Sequence, residues 1–186
     1  MNRIVNMFFL SLLAAAFLMA VAQAQSGMTP TKSSAGTTAM DSTFIKSAAQ
    51  GGMAEVELGQ LAVQKGTSDE VKKFGQRMVD DHGKANARLK QIAGEEHVTL
   101  PQRLNAKDSA TKADLEKLSG DEFDRAYMRD MLKDHKQDVA EFQKESKSAQ
   151  DAAVKSFAEQ TLPTLKDHLK EAQKIASSQG ANARVQ

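Results

Sequence analysis

The sequence predicts an all-α fold, a bundle of four long helices. Apolar residues recur at three-four spacing through four separate stretches, the period that turns one face of a helix toward a core. Only three prolines interrupt 186 residues, and charged residues make up 26% against 5% aromatic. There is no cysteine, so a disulfide framework, a thiolate metal site and a cysteine nucleophile are all excluded. The same absence excludes a lipid anchor attached through cysteine.

The elements follow in chain order. Met1-Asn2-Arg3 is a short positive start, and an apolar run from Ile4 to Ala22 leads into Ala22-Gln23-Ala24. That order predicts a signal peptide over 1–24, cleaved after Ala24, and hence a periplasmic or outer-membrane-associated protein. Residues 25–40 are rich in Ser, Thr and Gly without apolar period, which predicts a flexible linker. A helical bundle is expected over 41–177, with a disordered tail over 178–186.

Within the bundle, the first helix is expected from about Ser42 to Lys65, capped by Asp41 or Ser42. Its apolar face reads Phe44, Ile45, Ala48, Ala49, Gly52, Val56, Gly59, Ala62 and Val63. The glycines are poor helix formers, but small residues let helices approach closely. Gly66 ends this helix, and Thr67-Ser68-Asp69-Glu70 reads as a capping box for a second helix to about Ala93. So short a connection makes the pair an antiparallel hairpin. From Gly94 to Gly120 the pattern breaks, with room for a short helix over 108–118, and the stretch is long enough to cross over along the bundle. Ser119-Gly120-Asp121-Glu122 reads as another capping box, opening a third helix to about Lys147. The fourth helix follows to about Ser177, with Pro163 expected to bend it near Glu159. Two hairpins joined by a long crossover make a ferritin-like four-helix bundle.

A repeated frame marks the candidate site. Met78-Val79-Asp80-Asp81-His82, Met131-Leu132-Lys133-Asp134-His135 and Thr164-Leu165-Lys166-Asp167-His168 place three of the four histidines after an aspartate, each in a different helix. At about 100° per residue all three fall on or beside the apolar arcs, and on the first helix Glu55 does too. One carboxylate and three imidazoles pointing inward suit Cu, Zn or Fe, with Glu55, His82, His135 and His168 as ligands. Met78 and Met131 are further candidates if the metal is Cu(I). Asp134 and Asp167 are expected at the rim, solvated or paired with lysines. Heights measured from the turns set Glu55 and His82 about one helical turn apart, and His135 and His168 likewise, which counts against a compact site. The alternative assigns each histidine to packing.

Phe44-Ile45-Lys46, Ala54-Glu55-Val56-Glu57-Leu58-Gly59, Met78 to Asn86, Phe123 to Met128 and Leu162 to His168 together resemble an exported bacterial family. It is the domain-of-unknown-function family numbered four-one-four-two, whose members are ferritin-like outer-membrane or periplasmic proteins. The resemblance covers about residues 41–177. It implies the bundle and export, and it implies no activity.

Ferritin-like di-iron enzymes need Glu-x-x-His on two helices. Here Val79, Leu132 and Leu165 stand three residues before the histidines, which argues against di-iron oxidase or iron-storage chemistry. No nucleophile–base pattern, P-loop or dinucleotide fingerprint is present, so no enzyme activity is expected. With 25 basic and 24 acidic residues, no nucleic-acid partner is expected either. Two functional classes follow. The reading the sequence favours is a structural or interaction protein of the envelope, stress-related, with other envelope proteins as partners. The alternative is a periplasmic transition-metal-binding module built on the inward Glu and His residues.

Overall fold

The computed structural model describes residues 37–182. The proposed signal peptide, most of the linker and the last four residues lie outside that range. Five helices follow one another: α1 Ala39–Lys65, α2 Asp69–Glu95, α3 Ala106–Glu116, α4 Gly120–Ser148 and α5 Ala152–Asn182. The first, second, fourth and fifth are the expected long helices, and α3 is the short helix of the crossover. The helical part is longer than expected at both ends. It begins three residues before Ser42, because Thr38 rather than Asp41 or Ser42 is the cap, forming a capping box with Asp41. It runs on past Ser177 to Asn182, and α5 continues unbroken through Pro163.

Helices α1 and α2 form one antiparallel hairpin and α4 and α5 the other. The start of α1 lies against the α4–α5 turn and the start of α4 against the α1–α2 turn, so α1 and α4 are antiparallel too. The crossover therefore has to travel the length of the bundle, and α3 packs on α1 and α4 as it does so.

Neither expected capping box after the first helix forms. Ser68, not Thr67, caps α2, accepting from the Val71 N–H, and Ser119 makes no side-chain cap. Long-range clasps take over part of this role. The Asp124 carboxylate, buried in α4, accepts from the Thr67 and Ser68 N–H groups at 2.9 and 2.8 Å. In the other direction, buried Asp41 accepts from the Gln150 and Asp151 N–H groups at 3.2 and 3.0 Å. Each hairpin turn is thus fastened by an aspartate of the opposite hairpin.

Glycines set the fit of α1 on α2. A Cβ at Gly59 would meet the Gly75 carbonyl oxygen at 2.7 Å, and one at Gly75 would meet that of Gly59 at 2.8 Å, so the two backbones touch. The buried arc of α1 takes in Leu58 and Leu61, while Val63, expected on the apolar face, is exposed. The arc is turned because Leu61 packs in a cluster with Leu115 of α3.

The core is divided. One apolar cluster holds Leu58, Phe74, Met78, Phe123, Tyr127, Met128 and Met131, toward the α1–α2 turn. The other holds Phe44, Ile45, Leu89, Phe142, Phe157 and Leu165, toward the α4–α5 turn. Between them lie buried polar side chains, the expected Glu55, His82, His135 and His168.

His97, the histidine outside the repeated frame, has a backbone role. It sits at φ 55° just past α2, with the Val98 N–H bonded to the Ala93 carbonyl and the His97 N–H to that of Gly94. This is the Schellman termination, with His97 where glycine is usual.

Candidate metal centre

All four residues predicted from the sequence meet at mid-bundle. His82 Nδ1 lies 2.8 Å from Glu55 Oε2, and His135 Nε2 lies 3.3 Å from His168 Nδ1. The one-turn offset derived from helix heights is closed, and the reason is side-chain direction. Helical side chains lean toward their own N-terminus. In an antiparallel hairpin a residue of the first helix therefore leans away from the turn and one of the second leans back toward it, and here the first-helix residue of each pair is the nearer. Glu55 with His82, and His135 with His168, converge in this way.

The hydrogen bonds fix which ring nitrogens carry protons. His135 Nδ1 donates to the Met131 carbonyl at 3.0 Å, and His168 Nε2 donates to Asp81 Oδ2 at 3.0 Å. His82 Nδ1 faces Glu55 Oε2 at 2.8 Å, a charge contact that favours the proton on that nitrogen. The nitrogens left with lone pairs are His135 Nε2, His168 Nδ1 and His82 Nε2, the last of them buried with no hydrogen-bond partner. Burial holds all three rings neutral at physiological pH: it pulls the His82 pKa down to about 4 and that of His168 to about 3, and it lowers that of His135. Two imidazole lone pairs thus face each other across 3.3 Å with no proton between them. Two nitrogens bound to tetrahedral zinc at 2.0–2.1 Å stand roughly 3.3 Å apart. The three rings can bring one nitrogen each to within 4.8 Å of one another. Each ring is oriented by an acceptor at its far side, as metal-bound histidines usually are.

A second group adjoins the first. Glu55, His135 and Asp138 also place one ligand atom each within 4.8 Å of one another. Glu55 is only 3% exposed, and its Oε1 has no hydrogen-bond partner, although His135 Nδ1 is 3.3 Å away. Burial pushes the Glu55 pKa up to about 7, and burial with the nearby Glu55 charge raises that of Asp138 well above the usual carboxylate range. A cavity of about 20 Å³, lined by Gly52, Glu55, His82, Ala85, Asp138 and Leu165 among others, lies beside them. That is room for about one water.

Asp138 and Asp81 were missed by the sequence reading. Asp138 follows His135 by three residues, so an i, i+3 scan from His135 would have found it. Asp81 could not have been found that way, because it serves the histidine of another helix. Asp134 does pair with a lysine, Lys107 at 3.8 Å, and Asp167 is exposed. Met78 and Met131 are in the apolar cluster next to the polar group.

The family profile of DUF4142, a domain of unknown function, matches residues 26–175. The chain belongs to this family. Its bundle is similar to the crystal structure of a DUF305 fragment from Deinococcus radiodurans, with a TM-score of 0.68. The match is 14% identical and covers 77% of this chain and 99% of that one. At that identity the likeness is one of fold. No curated protein matches the chain. In this DUF4142 chain, no helix among the described residues is long and apolar enough to cross a membrane.

Proposed function

We propose that this DUF4142 protein is a transition-metal-binding module of the periplasm, holding a divalent zinc or copper ion on His82, His135 and His168. The observation that carries the reading is the pair of facing lone pairs on His135 Nε2 and His168 Nδ1. Between neutral rings that contact is repulsive, and a cation turns it into two bonds. Three imidazoles and no thiolate suit Zn(II) or Cu(II), and three protein ligands leave a fourth position open. Glu55 and Asp81 orient the rings. Periplasmic location follows from the N-terminal sequence pattern and is part of the proposal. Among the described residues only Met40 and Val63 are exposed large hydrophobics, so no observation favours the envelope-interaction reading over this one.

Calorimetric titration with Zn(II) and with Cu(II) tests it. The wild-type protein should bind one equivalent, and His135→Ala should weaken binding at least about 100-fold. Binding no tighter than about 100 μM in the wild type, or equal affinity in the variant, would return the histidines to packing.

A further inference from the structure

The metal reading leaves a physical question, since the imidazoles are shut away from water on most sides. Toward both ends of the bundle they are closed by the two apolar clusters. On the α2–α5 side Arg77 stands in front of Asp81, paired with it at 3.4 Å and with Glu171 at 2.5 Å, and its charge repels a cation. On the α1–α2 side the two backbones touch at Gly59 and Gly75.

The α1–α4 side, under α3, is different. A groove of about 350 Å³ there is lined by Glu55, Asp108, Asp134, Asp138 and Glu141, with Lys107 the one basic residue in it. Its inner wall is the buried Glu55, whose Oε1 is without a hydrogen-bond partner. At its outer part the Lys107 ammonium is 3.8 Å from Asp134, where a cation passing inward would be attracted. The helix carrying that lysine is tied to α1 by Lys112 and Glu57 at 2.8 Å, so Lys107 is held over the groove.

We propose that this acidic groove is the path by which a divalent cation reaches the buried histidines. Asp134 and Glu141 capture it at the mouth, Lys107 competes with it there, and Glu55 with Asp138 pass it to His135. The hand-over is short, because Glu55 and Asp138 line the groove and each brings a ligand atom within 4.8 Å of one on His135. This inference rests on the metal-binding reading and adds direction to it.

Stopped-flow mixing with Co(II), whose visible bands report tetrahedral coordination, separates the two. The double variant Asp134→Asn/Glu141→Gln should bind about tenfold more slowly at low salt while its equilibrium affinity stays within about threefold. Lys107→Met should bind about threefold faster, and the wild-type rate should fall steeply with ionic strength. These side chains are outside the core, so the variants keep the fold. Rates within about twofold of wild type in both variants, with metal still bound, would overturn the route and leave the site standing. Acceleration in Arg77→Met, with the groove variants unchanged, would place the route on the α2–α5 side instead. A wild-type protein that binds no Co(II), Zn(II) or Cu(II) would remove the site and the route together.

Discussion

Asp41 and Asp124 are as deeply buried as Glu55, yet they are chemically its opposite. The carboxylates of the first two each accept two backbone N–H bonds from a helix turn. Those bonds, outweighing the cost of burial, hold the Asp41 pKa below the usual carboxylate range. No backbone donor reaches Glu55: one oxygen faces His82 Nδ1 at 2.8 Å, and the other, 3.3 Å from His135 Nδ1, has no hydrogen-bond partner. Its pKa is up at about 7. Burial does not by itself distinguish a structural acid from a functional one. The distinction lies in whether fixed donors already fill its lone pairs.

The largest expected effect follows from that contrast. Asp124→Ala should lower folding stability by about 3 kcal/mol, because two N–H groups at the α1–α2 turn lose a charged acceptor. Urea unfolding checks this, and Zn(II) affinity should be unchanged. Glu55→Gln should do the reverse, changing stability at neutral pH by less than about 1 kcal/mol while weakening metal binding about 10–100-fold. If Asp124→Ala impaired binding as much as Glu55→Gln, the division between the two sets would fail.

The pH dependence sharpens the same contrast. His82 is pulled from 6.5 to about 4, so the unfolded chain takes up a proton first and stability is lost as pH falls from about 6.5 to 4. For His82 alone that loss amounts to about 3 kcal/mol. Glu55 is shifted the other way, from 4.5 to about 7. The folded chain keeps the Glu55 proton where the unfolded chain releases it, so this contribution grows as pH falls from about 7 to 4.5. The two slopes oppose each other in the wild type. Glu55→Gln removes one of them, and its stability should fall more steeply than wild type between pH 6.5 and 4.5, measured by urea midpoints at each pH. Parallel profiles would mean that the folded-state proton is not on Glu55.

The smallest effect concerns the histidine used by the backbone. His97→Gly should stabilise the protein by about 0.5–1 kcal/mol, because glycine adopts the φ of 55° without the cost of a Cβ. Thermal unfolding would show it, with metal affinity unaffected. Destabilisation would mean that the His97 side chain has a contact that outweighs the backbone strain.

Much of this was legible in the sequence. The three-four periodicity placed the four long helices, and the wheel put Glu55, His82, His135 and His168 inward, because both depend only on spacing along one chain. Clustering of those four was not legible from heights alone, since a height counts Cα positions and ignores the lean of the side chains. The capping box read at Thr67 was a local pattern that a long-range contact replaced, and Ser119 makes no side-chain cap. Thr67 gives its N–H to Asp124, a residue 57 positions away. Asp81 and the acidic groove depend on which helices become neighbours, and spacing within one helix carries no such information.

The two aspartate clasps also stand in register with each other. From Asp41 to Asp124, from Glu55 to Asp138, from the helix end at Gly66 to that at Ala149, and from Phe74 to Phe157, the step is the same 83 residues. The chain lays down one plan twice, and the second copy answers the first across the bundle. At the histidines the copies part. The same step pairs His82 with Leu165, His135 with Gly52 and His168 with Ala85. Those three partners, Leu165, Gly52 and Ala85, all line the 20 Å³ cavity. The correspondence is therefore broken at the level of the histidines. Where imidazoles fill the interior on one side, small and apolar residues on the other leave beside them the space of a single water molecule.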